Sequence, residues 1–272
     1  TVPIAGVATA AVKTAADFEA AMSEVGAISG ASAQDLATLT AKAKEMGATT
    51  SFSASESAEA MKYMAMAGWK TADMTAGIAG IMNLAAAAGE DLGTTSDIVT
   101  DGLTAFGMSA KESGRFADVM AATSTNANTN VTMLGESFKY CAATAGAMGY
   151  NIEDISVALG VMANAGIKGS TAGTTLKNVI ANMAKPTDAQ AAVMQKLGIS
   201  LTDSSGNMKS FAEVMNNLRS SFNGLSETEK ASYATTLAGK ESMSGLLTIV
   251  NASAADFDKL TEAINLSLIH IS

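Results

Sequence analysis

A chain of 272 residues, 48% of them apolar, is long enough to bury a core, and length alone allows one or two domains. Much of the apolar content is alanine and aromatics reach only 5%, so close helix packing with modest burial per contact is expected. A formal net charge of −9 argues against nucleic-acid recognition and against an electrostatic membrane anchor, and the single cysteine, Cys141, excludes an intrachain disulfide.

The chain opens on Thr1, and residues 1–12 carry no charge. The basic start of a signal peptide is missing, and the lack of an initiator Met suggests a fragment of something longer. An N-terminal helical pair is expected over 1–50. Beyond it, helix punctuation is dense. A Ser or Thr followed three residues later by an acid or Gln marks a capping box at Ser53/Glu56, Ser109/Glu112, Thr187/Gln190, Ser210/Glu213 and Ser226/Glu229. The hydroxyl accepts from a free backbone N–H, and the acid suits the positive helix start. Glycine marks stops at Gly47, Gly68, Gly89, Gly107, Gly149, Gly166, Gly198, Gly224 and Gly239.

Starts and stops so spaced give helices of about 20–30 Å, whereas one continuous helix would reach about 400 Å. The glycines therefore predict an all-α chain folded back on itself as a multi-helix bundle or array. Apolar stripes support this: Phe52, Met61, Tyr63, Met64 and Met66; Ile155, Leu159 and Met162; Leu176, Val179, Ile180 and Met183. The uncharged run Met74 to Gly89 is shorter than the ~20 residues of a membrane span and reads as a buried helix. Pro186 ends a helix. Alternation from Leu197 to Thr202, turn chemistry from Asp203 to Asn207 and the return at Met208 predict one short β-hairpin.

One unit of roughly 80 residues occurs twice. Met61-Lys62-Tyr63 recurs as Phe138-Lys139-Tyr140. Gly68-Trp69 followed by Asp73 recurs as Gly149-Tyr150 followed by Asp154. Gly93-Thr94-Thr95 recurs as Gly173-Thr174-Thr175. Trp69 and Tyr150 are expected to plug the joint between consecutive helices. The chain thus divides into a helical pair (1–50), a duplicated helical core (51–185), a hairpin with C-terminal helices (186–265) and an anomalous tail (266–272). That tail abandons the Ala/Gly style and holds the only histidine, His270, as a truncated or mis-read end would.

No site chemistry emerges. A single histidine removes most metal and triad arrangements. Gly239-Lys240 is followed by Glu241, not by the Ser or Thr of a phosphate loop, and neither Gly-x-Gly-x-x-Gly after a strand nor Gly-x-Ser-x-Gly occurs. The acid pairs Glu90/Asp91 and Glu153/Asp154 sit where helix starts favour acids. Gly-x-x-x-Gly at Gly26/Gly30, Gly89/Gly93 and Gly169/Gly173 reads as loop freedom and close helix approach. The seventeen methionines read as core gap-fillers, with an adaptable greasy surface as the lesser reading. No catalytic, metal or cofactor residue is nominated, and the chain is not expected to be an enzyme.

Several stretches are similar to one family. They are Asp17-Phe18-Glu19 with Met22 to Gly26, Ala58 to Trp69, Leu103 to Met108, Phe138-Lys139-Tyr140, Ala165 to Ser170, and Leu197-Gly198-Ile199 with Gly206-Asn207-Met208. Each is weak, but their order over about residues 15–264 resembles the shared core of phage tail tape-measure proteins from long-tailed phages and prophages. The resemblance implies a structural virion protein that helps set tail length while tail tube protein polymerises around it. It implies tail assembly chaperones as partners, homo-oligomers within the tail, residence in the tail lumen after assembly in the host cytoplasm, and exit ahead of the DNA with contact at the host envelope. No catalytic residues belong to that core. The family's coiled-coil ruler, hydrophobic spans and cell-wall-cleaving domain have no counterpart here, so one module of a tape measure is implied.

Two other readings compete. A secreted or surface helical interaction protein, or a pore-forming one, would share the Ala/Ser/Gly-rich helices. A chemoreceptor-like coiled coil would need sustained heptads, which the glycines interrupt. Glycine-jointed alanine helices with few aromatics should also open at low cost. The isolated chain is accordingly expected to melt over a broad range by circular dichroism, and a sharp, highly stable transition would contradict this.

Overall fold

The computed structural model describes residues 3–269, with side chains placed from 15 to 266. The described residues form fourteen α-helices and one 3₁₀ turn. Two compact units emerge: one runs to Leu103 and takes in Met108–Ala117, and the other holds Thr104–Gly107 and the chain from Asp118.

The first unit begins with α1 (Pro3–Ser29), α2 (Ala33–Thr49) and α3 (Ala54–Met66). Ser32 caps α2 by accepting from Asp35 N–H at 3.1 Å. α3 packs on both predecessors, and Lys62 Nζ lies 3.3 Å from Glu24 Oε2 across α1 and α3. The expected stop at Gly47 does not occur, because α2 continues to Thr49. A Cβ on Gly47 would fall 2.4 Å from Ala54 N, so this glycine serves a close approach to the start of α3. α2 ends instead where the Thr50 hydroxyl donates to Met46 O at 2.8 Å.

α4 (Thr71–Ala88) carries the uncharged run and buries Met74, Ile78, Ile81, Met82 and Leu84. No helix of the described residues is long and apolar enough to cross a membrane. Of the first expected stripe, Met61 and Met64 are buried, Tyr63 is half-buried, Phe52 is half-buried ahead of α3, and Met66 is 64% exposed. Ten of the seventeen methionines are buried.

α5 (Leu92–Phe106) and α6 (Ser113–Asn126) contribute residues to both units, with the 3₁₀ turn Ala110–Glu112 between them. All five expected capping boxes form. Backbone N–H groups of Ser53, Ser109 and Ser210 hold the carboxyls of Glu56, Glu112 and Glu213 below the usual range, and the Ser226 hydroxyl does so for Glu229. The other eight expected glycine stops adopt positive φ.

The second unit is built around α8 (Ile152–Asn164), in which every residue from Ile155 to Ala163 is buried. A helix apolar on all sides belongs at the centre of its unit. α7 (Val131–Ala147), α9 (Gly169–Ala184), α11 (Phe211–Phe222), α13 (Met243–Asn251) and α14 (Ala254–Ile269) surround it. α10 (Asp188–Leu197) and α12 (Glu227–Ala238) complete the unit. Of the expected anomalous tail 266–272, residues 266–269 continue α14, and 270–272, with His270, lie outside the described residues.

Two expectations are corrected. No strand forms among the described residues, so there is no β-hairpin; a single antiparallel bridge joins Thr202 and Met208. Leu197 ends α10, Gly198 caps it in the left-handed region, and the Ser200 hydroxyl accepts from Thr202 N–H at 3.2 Å. Asp203 accepts from the N–H groups of Ser205 and Asn207 at 2.8 and 2.9 Å. The returning arm does meet the first, but only through Lys209 N–H to Leu201 O at 2.8 Å and Asp203 N–H to Asn207 O at 2.9 Å, one bridge rather than a ladder.

The duplication is not supported as a repeated unit either. α7 runs along α9 so closely that a Cβ on Gly173 would fall 2.2 Å from Ser137 O. The main partners of α3 are instead α1 and α2, which precede only the first stretch. Neighbours outside the paired sequences decide how each packs.

Gly173→Ala should cost about 1–3 kcal/mol, since backbone must shift to admit the methyl. Gly114→Ala, where a Cβ meets nothing within 4 Å in a helical backbone, should gain about 0.5–1 kcal/mol. Urea midpoints of the two variants are expected to move in opposite directions.

Candidate functional site

The paired positions lie at two helix junctions and beside them. At the first, α3 closes with Trp69 N–H donating to Met64 O at 3.0 Å, a wrap that needs Gly68 at φ +86°. The buried indole of Trp69 then fills the space over Gly77 of α4, where a Cβ would fall 2.3 Å from Cζ3. Asp73 accepts from Lys70 N–H at 3.4 Å and stays exposed at the start of α4.

The second junction repeats the closure. Tyr150 N–H donates to Ala145 O at 3.0 Å after Gly149 at φ +74°. Tyr150 is buried with its ring 5.0 Å from that of Phe211. Its hydroxyl is buried without a hydrogen-bond partner, and burial raises its pKa. Asn151 caps α8 by accepting from Asp154 N–H at 2.8 Å. The Asp154 carboxylate faces a different helix, accepting from Ala212 N–H at 2.9 Å at the start of α11. Burial raises the Asp154 pKa, the Ala212 and Phe211 N–H groups oppose that, and Glu153 and Glu213 add to it.

The remaining pairs diverge. The Tyr63 ring lies against Gly93, 2.6 Å from where a Cβ would sit, while Thr94 N–H donates to Asp91 Oδ1 at 2.8 Å. Tyr140 is 46% exposed, and its Cβ lies 2.9 Å from where a Cβ on Gly173 would sit. Lys62 pairs with Glu24, whereas Lys139 is exposed and Thr174 half-buried. The structure therefore makes joints of Gly68-Trp69 and Gly149-Tyr150 and does not gather the paired residues into one constellation.

Burial pushes the Cys141 thiol up to about 12, far from a nucleophile. No group of three His, Cys, Asp or Glu suited to a metal occurs among the described residues. An apolar groove of about 690 Å³ lies between α1, α2 and the start of α3, bordered by Phe18, Met22, Leu36 and Lys44. Two smaller hollows flank the α13–α14 turn. There Arg219 donates to Ala252 O at 3.0 Å and stacks 4.3 Å over the Phe257 ring.

Among the described residues, the paired positions at Gly68-Trp69 and Gly149-Tyr150 join packed helices. Residues 40–239 match the family model described as phage-related minor tail protein. The chain is 38% identical over 264 residues, 97% of its length, to the tape measure protein of Pneumococcus phage Dp-1. It is 27% identical over 256 residues, 92% of its length, to the probable tape measure protein of Escherichia phage P2. The chain belongs to the phage tail tape measure family. It spans 23% and 31% of those two relatives. No solved structure matches it.

A carboxyl whose folded pKa is raised contributes stability that is present when it is protonated and lost as pH rises through that folded pKa. Asp154→Asn keeps an acceptor for Ala212 without the charge. It should match or exceed the parent in stability at pH 7, with the difference shrinking as pH falls into the acid range. Asp154→Ala, which removes the acceptor, should cost about 1 kcal/mol. Denaturation midpoints measured against pH check both.

Proposed function

We propose that this chain is a compact helical module of a tape measure protein, acting in tail assembly, tail-length determination and genome delivery. The observation that carries the reading is the 38% identity running through 97% of the chain. In this reading the module resides in the tail lumen of the virion, after assembly in the host cytoplasm. Its partners are the tail tube protein, tail assembly chaperones and further copies of itself, with host-envelope contact at infection. The relatives weigh against a secreted or surface pore-forming protein.

Fold and role are compatible through length. Extended as one helix, the chain would measure about 400 Å, whereas folded into packed helices it adds little to any ruler. The module would then travel with the ruler, and the extended parts of the protein would set the length.

An in-frame deletion of this segment from the phage's full tape measure gene tests the proposal. Mass spectrometry of purified parental tails should find peptides of this chain. Deletion should impair tail assembly or DNA delivery, and any tails that form should shorten by far less than about 400 Å. Absence of the peptides from tails, or full assembly and delivery after deletion, would reject the reading.

A further inference from the structure

The second unit holds its parts unequally. Every residue of α8 from Ile155 to Ala163 is buried, yet α10 contributes no buried side chain. Across residues 186–209 only Ile199 is buried. The ends of this stretch are self-sufficient. Pro186 cannot continue α9, the Thr187/Gln190 box starts α10 without outside help, and the Ser210/Glu213 box starts α11. Its loop is self-contained too, because Asp203 accepts from Ser205, Asn207 and the Asn207 amide within five residues.

Few tethers bind the stretch to its surroundings. Gln190 Nε2 donates to Thr236 O at 3.2 Å, Lys196 Nζ donates to the Tyr233 hydroxyl, and the Ser221 hydroxyl donates to Leu197 O at 2.8 Å. The first two reach α12 at solvent-accessible positions, where water can replace them at small cost. By contrast, α9 is joined to the chain beyond α11 by bonds that leave the stretch out: Asn178 Nδ2 to Ser242 Oγ at 2.9 Å and Asn182 Nδ2 to Leu237 O at 2.8 Å.

We infer that residues 186–209 form an extensible strap, which releases from α12 and Ile199's pocket as one unit while α7, α8, α9, α11 and α13 stay packed. Opening it requires no other helix to unfold, since both neighbouring helices keep their own caps. A stretch of about 24 residues spans about 80 Å when extended, so the strap adds reach without dismantling the core. In the proposed role, which this inference deepens but does not need, it would yield first when the protein is drawn lengthwise.

Hydrogen exchange on the chain, read by mass spectrometry, tests this. Amides in 188–209 should exchange together and at least about 100-fold faster than those of α8 and α9. A Lys196→Cys/Tyr233→Cys pair, joined by a reducible bifunctional thiol-reactive linker, should remove most of that difference, and reduction should restore it. Equal protection across α8, α9 and α10, absence of any protected core, or no response to the completed cross-link would overturn the strap. None of these readouts involves a tail, so the strap and the tape-measure role can fail separately.

Discussion

Helices built from alanine bury little surface per residue, so they hold together only where their backbones come close. That constraint organises the molecule. α7 and α9 meet where Gly173 leaves room for Ser137 O, and the Ser137 hydroxyl donates to Gly169 O at 2.9 Å at the same contact. Where a large ring is present, a glycine opposite receives it, as Gly77 receives Trp69. Other rings meet in pairs, Tyr150 with Phe211 at 5.0 Å and Phe106 with Phe138 at 5.5 Å. Methionines fill the irregular spaces around α4 and α8, which suits a flexible unbranched side chain.

Legibility in the sequence divides along sequence distance. A capping box is complete within four residues, so all five were legible and all five form. The left-handed glycine that ends a helix is equally local. Gly47 shows the limit of that signal, because a glycine kept for close approach looks the same on paper as one kept for a turn. The hairpin fell short as well. Its alternation was real and the arms do meet, but only across the Thr202–Met208 bridge, because the second arm gives way to the start of α11 at Ser210.

The paired junctions were half legible. Gly68-Trp69 and Gly149-Tyr150 announce the same helix closure, and the structure closes both alike. Beyond each closure, the packing partners are set from afar. Asp73 turns back on its own helix start, while Asp154 reaches Ala212, 58 residues on, and Tyr150 meets Phe211 beside it. No pattern near Asp154 signals that bridge. The same holds for Arg219, whose partners Ala252 and Phe257 lie more than thirty residues away. Similar local sequences thus acquired different packing from different neighbours, and the duplication dissolved at that step.

A fold with locally complete helix ends and thinly shared side-chain contacts has consequences for how it comes apart. Cooperativity arises when removing one element strips partners from the next. Around α8 that condition is met, since five other helices cover it and Leu260 of α14 reaches within 3.1 Å of where a Cβ on Gly160 would lie. At α10 it is met less, because α10 buries no side chain of its own. Stability here is therefore graded along the chain, from the buried centre to the strap. In the proposed tail role, drawing the chain lengthwise would turn that gradient into an order of events. The outermost step would cost least, and the apolar centre would be exposed last.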